Sequence, residues 1–456
     1  MTRGVAAGLL PFYLLLCLLL GGASAAGLLA NVLLQLLAIG MLFAALIVKP
    51  RIAPTRAGRR LLILLGLMAA VIAVQLVPLP PGLWTSLPGR EPVRQGFELL
   101  NQPLPWLPLS LAPHATIASA LWLLPAIAIL VWILRHGVRE SWITWLIVVA
   151  MVLSVLVGAM QITGGEGSPW YFYRITNYGV TVGFFANANH MATFLLVTVP
   201  FLGALYMALK GRRRSTQKSA GLAVMLGGLY GLVLVGLAIN GSLAGLGLIL
   251  PVTGATLLLM LRGRRIPLWA IAIVLALTGA SVAAVFSGRV DNNLISDEAP
   301  SNVVSRYTTF TTSFEAIKDN FPVGSGVGTF QPIYRTYEDP TRVTTTYINH
   351  VHSDWIEIVL ETGVLGLIVM LLFLAWWLRR AVAIWRAPEP DYFARAATIA
   401  SAAVMAHSLV DYPLRTVAVS ALFAVCCALM ALGGAAPERS SKRWPPTRPA
   451  RHVEAD

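Results

Sequence analysis

Charge is scarce in this sequence. Asp, Glu, Lys and Arg make up 12% of 456 residues, against about 25% in soluble domains. So few charges do not cover a water-soluble protein of this size, which excludes a soluble fold. Cysteine is nearly absent: Cys17, Cys426 and Cys427 are all there is, and each falls inside an apolar run. A disulfide framework and the Cys metal motifs are excluded with it. The ten-residue alternation of apolar and polar residues that marks a transmembrane β-barrel is missing too, and no internal repeat is visible.

Apolar residues are abundant, at 57% with a mean hydropathy of +0.73. Runs near 20 residues recur, each long enough to cross a hydrocarbon core of about 30 Å. Twelve spans are predicted, at roughly 5–21, 27–48, 61–78, 116–134, 142–162, 187–209, 220–239, 242–261, 267–286, 363–378, 394–410 and 417–434. The predicted fold class is an all-α polytopic membrane protein with about 12 transmembrane helices. Residues 1–286 form an N-terminal membrane region of about nine helices, 287–362 one large outer loop, 363–436 the C-terminal helices, and 437–456 a disordered tail. The tail is rich in proline and arginine and lacks apolar residues to bury.

The net charge of +14 would suit a nucleic-acid partner, but its placement argues otherwise. With the N-terminus inside, 25 of the 34 basic residues lie in inner segments, and 14 of the 20 acids lie outside with the other nine bases. That is the positive-inside pattern, with both termini cytoplasmic. The basic charge is an orientation signal, and no nucleic acid is expected. Met1-Thr2-Arg3, an apolar core and Ala23-Ser24-Ala25 also fit a cleavable signal peptide; a retained helix is the expectation.

The richest stretch is Asn349-His350-Val351-His352-Ser353-Asp354-Trp355-Ile356-Glu357, running on to Glu361-Thr362-Gly363-Val364-Leu365-Gly366. It lies where the large loop meets the membrane. Asp354 is predicted to cap a helix, with Glu357 at its third position. The histidines would then precede a positive helix end, a good place to meet an anion. Histidine also suits general-base work near neutral pH; the alternative is a pair of interfacial hydrogen-bonding residues. His350-x-His352-x-Asp354 has the spacing of some metallohydrolases, but a catalytic zinc needs three ligands and an open position. Further ligands would have to come from His114, His190 or His407, scattered singly, so neither metal nor cofactor is expected.

The large loop holds Arg289, Arg306, Lys318, Arg335 and Arg342. Each could bind phosphate oxygens or balance local acids such as Asp297, Glu298 and Glu338. Asn187, Asn189 and His190 open the sixth span, where polar groups are candidates for function. His407, Asp411 and Arg415 flank the turn between the last two spans, and fit a structural ion pair or the lining of a site.

Taken together, these motifs resemble the O-antigen ligase and O-antigen polymerase superfamily. His352-Ser353, nine residues, then Gly363-x-x-Gly366 resembles its signature. Arg306 followed by Phe321-Pro322-Val323-Gly324-Ser325-Gly326 resembles its approach to the histidine. Phe184, Asn187, Asn189 and His190 resemble its Gly-Phe-Asn-x-Asn stretch, and His407-Ser408-Leu409-Val410-Asp411-Tyr412-Pro413-Leu414 its penultimate helix end. The likeness extends over most of residues 180–432. It implies a GT-C-like membrane glycosyltransferase that needs no metal. Such an enzyme moves a glycan from an undecaprenyl-diphosphate carrier to a glycan or lipid A-core acceptor, outside the inner membrane and among its lipids. It also implies a catalytic role for His352 and a diphosphate-binding role for Arg306. His350, Asp354, Asn187, Asn189 and His190 fall to the acceptor or to structure. One departure stands out: where the family often has Ser-Arg, this chain has Ser242-Leu243, and Arg174 or Arg335 would have to substitute. Ligase, polymerase and protein-modifying branches are not separated. A transporter of polyprenyl-linked sugars and an inactive assembly subunit are the competing readings.

Overall fold

The computed structural model describes residues 3–25, 27–210, 216–261, 267–287, 300–342 and 348–433. The predicted tail at 437–456, Arg289 and the inner-loop arginines 212–214 and 262–265 lie outside the described residues. The chain begins with α1 (Arg3–Leu20), α2 (Leu29–Ile47), α3 (Arg56–Gln75), β1 (Pro78–Leu79), α4 (Pro81–Trp84), α5 (Glu91–Leu99) and β2 (Leu107–Pro108). It continues through α6 (Pro113–Trp122), α7 (Leu124–His136), α8 (Glu140–Thr163), α9 (Ala188–Lys210), α10 (Thr216–Asn240), α11 (Leu243–Met260) and α12 (Leu268–Ser287). The last helices are α13 (Pro300–Asn320), α14 (Phe330–Tyr337), α15 (Asp354–Arg386), α16 (Tyr392–His407) and α17 (Val417–Leu432). Strands β1 and β2 pair antiparallel, Pro78 with Pro108 and Leu79 with Leu107, the only sheet among the described residues.

Among the described residues, nine helical stretches are long and apolar enough to cross a membrane, with α6 and α7 together forming one of 24 residues. The protein is an all-α multi-pass membrane protein. Every predicted span falls on a helix, but α1, α16 and α17 fall short of that length and apolarity, so the count of twelve is not reached on these criteria. Helices α16 and α17 have 16 residues each, about 24 Å at 1.5 Å per residue. The turn between them, residues 408–416, is mostly buried in protein. Irregular backbone is tolerated near membrane depth when protein covers it.

Helix α9 is the centre, with 83% of its most apolar window buried, packed by α16, α11, α10 and α8. Alanine-rich α16 lets these backbones come close. At the periphery, α12 buries only 6% of its window and presents Leu268, Trp269 and Leu275 outward. That apolar surface matches lipid, which offers no backbone partners, so each helix satisfies its own.

The segment predicted as a large polar loop carries α13 and α14, and it is clipped to the N-terminal half. Gln75 at the end of α3 donates from Nε2 to the Glu361 carbonyl (2.8 Å), and its Oε1 accepts from Val327 N–H (2.9 Å). The buried Arg90 donates to the carbonyls of Gly324 (2.9 Å) and Leu109 and to Asn320 Oδ1 (3.3 Å). A buried backbone carbonyl left unpaired costs about 1–3 kcal/mol, so these bonds tie Asn320, Gly324, Val327 and Glu361 to the N-terminal half.

Candidate functional site

Helix α15 begins at Asp354, but the cap is Ser353, whose Oγ accepts the Ile356 N–H at 3.5 Å. This corrects the expectation for Asp354. Its carboxylate turns away from the helix start: Oδ2 accepts from Ser408 Oγ (2.8 Å) and Leu414 N–H (3.3 Å). The Asp354 N–H itself donates to the carbonyls of Ser408 (3.1 Å) and Asp411 (3.2 Å). The 408–416 turn therefore clasps the first residue of α15.

Glu357 reaches back past the cap. Its Oε1 lies 2.8 Å from His350 Nδ1, and Oε2 accepts from Val351 N–H at 3.1 Å. Both bonds fix the two residues ahead of His352. His352 has φ +60, the left-handed region that residues with a Cβ seldom enter. That conformation costs about 1–2 kcal/mol, and such residues persist where surroundings over-determine them, often at functional sites. Here Glu357 on one side and the clasped helix start on the other supply the constraint.

Beneath this segment Arg415 sits among three buried carboxylates. Its Nη2 is 3.0 Å from Glu361 Oε2 and 3.4 Å from Glu357 Oε1, and its Nε is 3.6 Å from Asp354 Oδ1. The other Glu361 oxygen, Oε1, accepts from Gly328 N–H at 2.8 Å. Burial alone would lower the Arg415 guanidinium, but Glu357, Glu361 and Asp354 outweigh it and hold it above its ordinary value. Removing one partner of such a buried cluster leaves uncompensated charge.

The histidines gather around Tyr412. Ring centroids of His350, His352 and His190 lie 4.4, 5.0 and 5.0 Å from that of Tyr412. The buried Asp411 faces His352, with Oδ1 to Nδ1 at 3.4 Å, longer than an ordinary hydrogen bond. Burial pushes the Asp411 carboxyl up, but His352, with His190 and His407 nearby, outweighs burial and holds it below the usual carboxylate range. His407 Nδ1 is 2.8 Å from Thr193 Oγ1. Neither ring nitrogen of His190 makes a hydrogen bond among the described residues, although the residue is buried. A buried polar group in that state calls for an explanation such as a bound water or a substrate hydroxyl.

Asn187 and Asn189 frame the start of α9. Asn187 Oδ1 accepts from Asn189 N–H (2.8 Å), and Asn189 Oδ1 accepts from Ser242 Oγ (2.6 Å). Ser242 also caps α11 at Gly245, while Leu243 begins that helix half-buried. Ser242-Leu243 thus joins α11 to the start of α9.

The structure brings together His350, His352, Asp354 and His190, and places Asn187 and Asn189 alongside. Neither Arg174 nor Arg335 pairs with these residues among the described residues. Arg174 and Arg335 are exposed and make no ion pair among the described residues. Arg306 lies on α13, and its side chain falls outside the description. Asp411 and Arg415, expected as a structural ion pair or the lining of a site, are both here, whereas Tyr412, Glu357 and Glu361 were not expected as site residues. The signal was a run of polar residues, Asp411-Tyr412 and Arg415, between two apolar helices. Among the described residues no group of three His, Cys, Asp or Glu is arranged to hold a metal ion.

The site thus sets a constrained histidine beside a buried acid and above a cross-linked ion cluster, in a multi-pass helical membrane protein. Residues 228–371 match the family model described as O-Antigen ligase. That match, over less than half of the 456 residues, supports the likeness to the O-antigen ligase and polymerase superfamily. The matched stretch contains Ser242, His350, His352 and the paired glycines Gly363 and Gly366, and is narrower than the 180–432 of the sequence likeness. No curated protein matches the chain.

Proposed function

We propose that this protein is an inverting, metal-independent glycosyltransferase of the bacterial inner membrane. It takes a glycan from an undecaprenyl-diphosphate carrier and passes it to an acceptor hydroxyl, on a glycan or a lipid A-core, at the periplasmic face. In this reading residues 287–362 cover the site on that face, between membrane regions 1–286 and 363–436, and the 437–456 tail and both termini are cytoplasmic.

The observation that carries the reading is His352, held in the left-handed region with Nδ1 toward the buried Asp411. An acid on Nδ1 orients the ring and leaves Nε2 to accept a proton. The acceptor oxygen forms its bond to the anomeric carbon as the carbon–oxygen bond to the diphosphate breaks. The hydroxyl proton passes to His352, and the lipid diphosphate leaves with the electron pair. General-base help of this kind contributes about 10²–10⁴-fold. The leaving charge requires cations. Arg415 is already matched by three carboxylates, so the diphosphate falls to Arg306, with Arg174 and Arg335 as further candidates.

The test is transfer by the detergent-purified protein from an undecaprenyl-diphosphate oligosaccharide to candidate acceptors, with EDTA present. The wild type is expected to transfer, and a folded His352→Ala variant to fall by at least about 10²-fold. Product size separates ligase from polymerase. If substrates that serve another family enzyme give no product with the wild type, the reading fails, and transport of the lipid-linked sugar becomes the reaction to assay.

A further inference from the structure

The opposite end of the bundle holds a cavity of about 390 Å³. Thr116 on α6 donates to the Val327 carbonyl near the His352 end, and α6 with α7 runs 24 residues from Pro113 to His136 at the other end. At 1.5 Å per residue the two ends are about 36 Å apart. The cavity belongs to no part of the site described above, and its size is that of a small-ligand pocket, about 300–1,000 Å³.

Its lining combines three basic groups with aromatic and apolar surface: Arg51, Arg139, His136, Trp132, Trp142 and Leu10. No carboxylate is among the described lining residues. The backbone fixes this arrangement, since Arg51 N–H and Ile52 N–H both donate to the Arg135 carbonyl at the end of α7 (2.8 and 3.1 Å). Arg139 lies 5.1 Å over the Trp142 ring, and His136 sits 4.5 Å from the Trp132 ring. His136 is 8% exposed.

Two guanidinium groups beside a buried imidazole recognise an anion, and the planar guanidinium fork suits phosphate oxygens. Indoles belong where one side is apolar and the other wet. Trp142 on the lining is 51% exposed, and Phe12, next in sequence to the lining residue Pro11, is 59% exposed, so apolar surface adjoins the cavity. A soluble phosphate would leave that surface unused, whereas acyl chains would cover it. From this combination we propose that the cavity binds the phosphate headgroup of an anionic phospholipid, in a site independent of the catalytic reading.

The full-length protein, purified in detergent, is titrated with phosphatidylglycerol, phosphatidylethanolamine or glycerol phosphate, and bound molecules are counted by native mass spectrometry. Phosphatidylglycerol is expected to bind the wild type, and Arg51→Gln/Arg139→Gln to bind it about thirtyfold more weakly. Arg59→Gln/Arg60→Gln, which removes two exposed charges at the same end outside the cavity, is expected to bind as the wild type does. If the double cavity variant is not monodisperse, Arg139→Gln alone carries the test with a smaller loss. Equal weakening by both pairs, equal binding of phosphatidylethanolamine, or displacement of the lipid by glycerol phosphate overturns the proposal.

Discussion

Arg415 and Arg380 stand at opposite ends of the bundle and answer burial differently. Arg380 gives its donors to backbone carbonyls at the end of α17, Met430 (2.8 and 3.0 Å) and Gly433 (2.6 Å). Those carbonyls have no partner inside their own helix and carry the negative end of its dipole. The arginine completes the helix, and its charge meets no carboxylate among the described residues. Arg415 meets three carboxylates. Its charge is cancelled, and its fork cross-links α15 to the turn after α16. The lesson is that position of a cation alone does not make a phosphate site; what already faces it decides.

Replacing each arginine breaks the comparison most directly. Arg415→Met is expected to destabilise the protein by about 3–5 kcal/mol, because three buried carboxylates lose their counter-charge. Thermal unfolding in detergent reads this, and a loss below about 1 kcal/mol would remove the cross-link from the account. Asp411→Asn is expected to lower transfer by about 10²-fold while the protein stays folded; unchanged transfer would detach Asp411 from the chemistry. The same variant has a signature in pH. The Asp411 carboxyl is held below its ordinary value, so its contribution is complete above the unfolded value of about 3.9 and fades as pH falls toward the folded one. On acidification below about pH 4, Asp411→Asn should therefore lose less thermal stability than the wild type.

Arg380→Gln at the other end is expected to cost about 1.5–3 kcal/mol, the range of hydrogen bonds to a charged group, with transfer per folded molecule unchanged. Arg335→Ala and Arg174→Ala should give the smallest effects. A residue that holds the diphosphate only weakly is expected to raise KM about tenfold with kcat steady. The variant that leaves KM where it was takes that residue out of the donor site.

The fold was largely legible because lipid demands long apolar runs, and each predicted span lies on a helix. Helices α16 and α17 blur the count, since a short helix continued by covered backbone does not look like a full span. His352 was legible from its local stretch. The cap was misassigned because Ser353 and Asp354 are both good capping residues, and only the distant Ser408 decides which one is drawn away. Asp411 and Arg415 lie more than fifty residues from His352, and nothing local in sequence says that the 408–416 turn closes over α15. Glu357 was expected at the third position of a capping box and Glu361 had no assigned role, whereas both are buried by a partner the linear pattern does not reveal.

Helix α15 is interrupted at Gly363, with φ 57 and ψ −144, and a Cβ built there would lie 2.1 Å from the Pro322 carbonyl oxygen. A Cβ built on its neighbour Gly324 would lie 2.6 Å from Gly363 N. In a genetic screen for loss of activity, both positions would score beside His352, although neither supplies a group to any reacting atom. A screen of that kind would draw a larger active centre than the chemistry uses, and suppressors of Gly363 lesions would map to the 321–326 strand of chain.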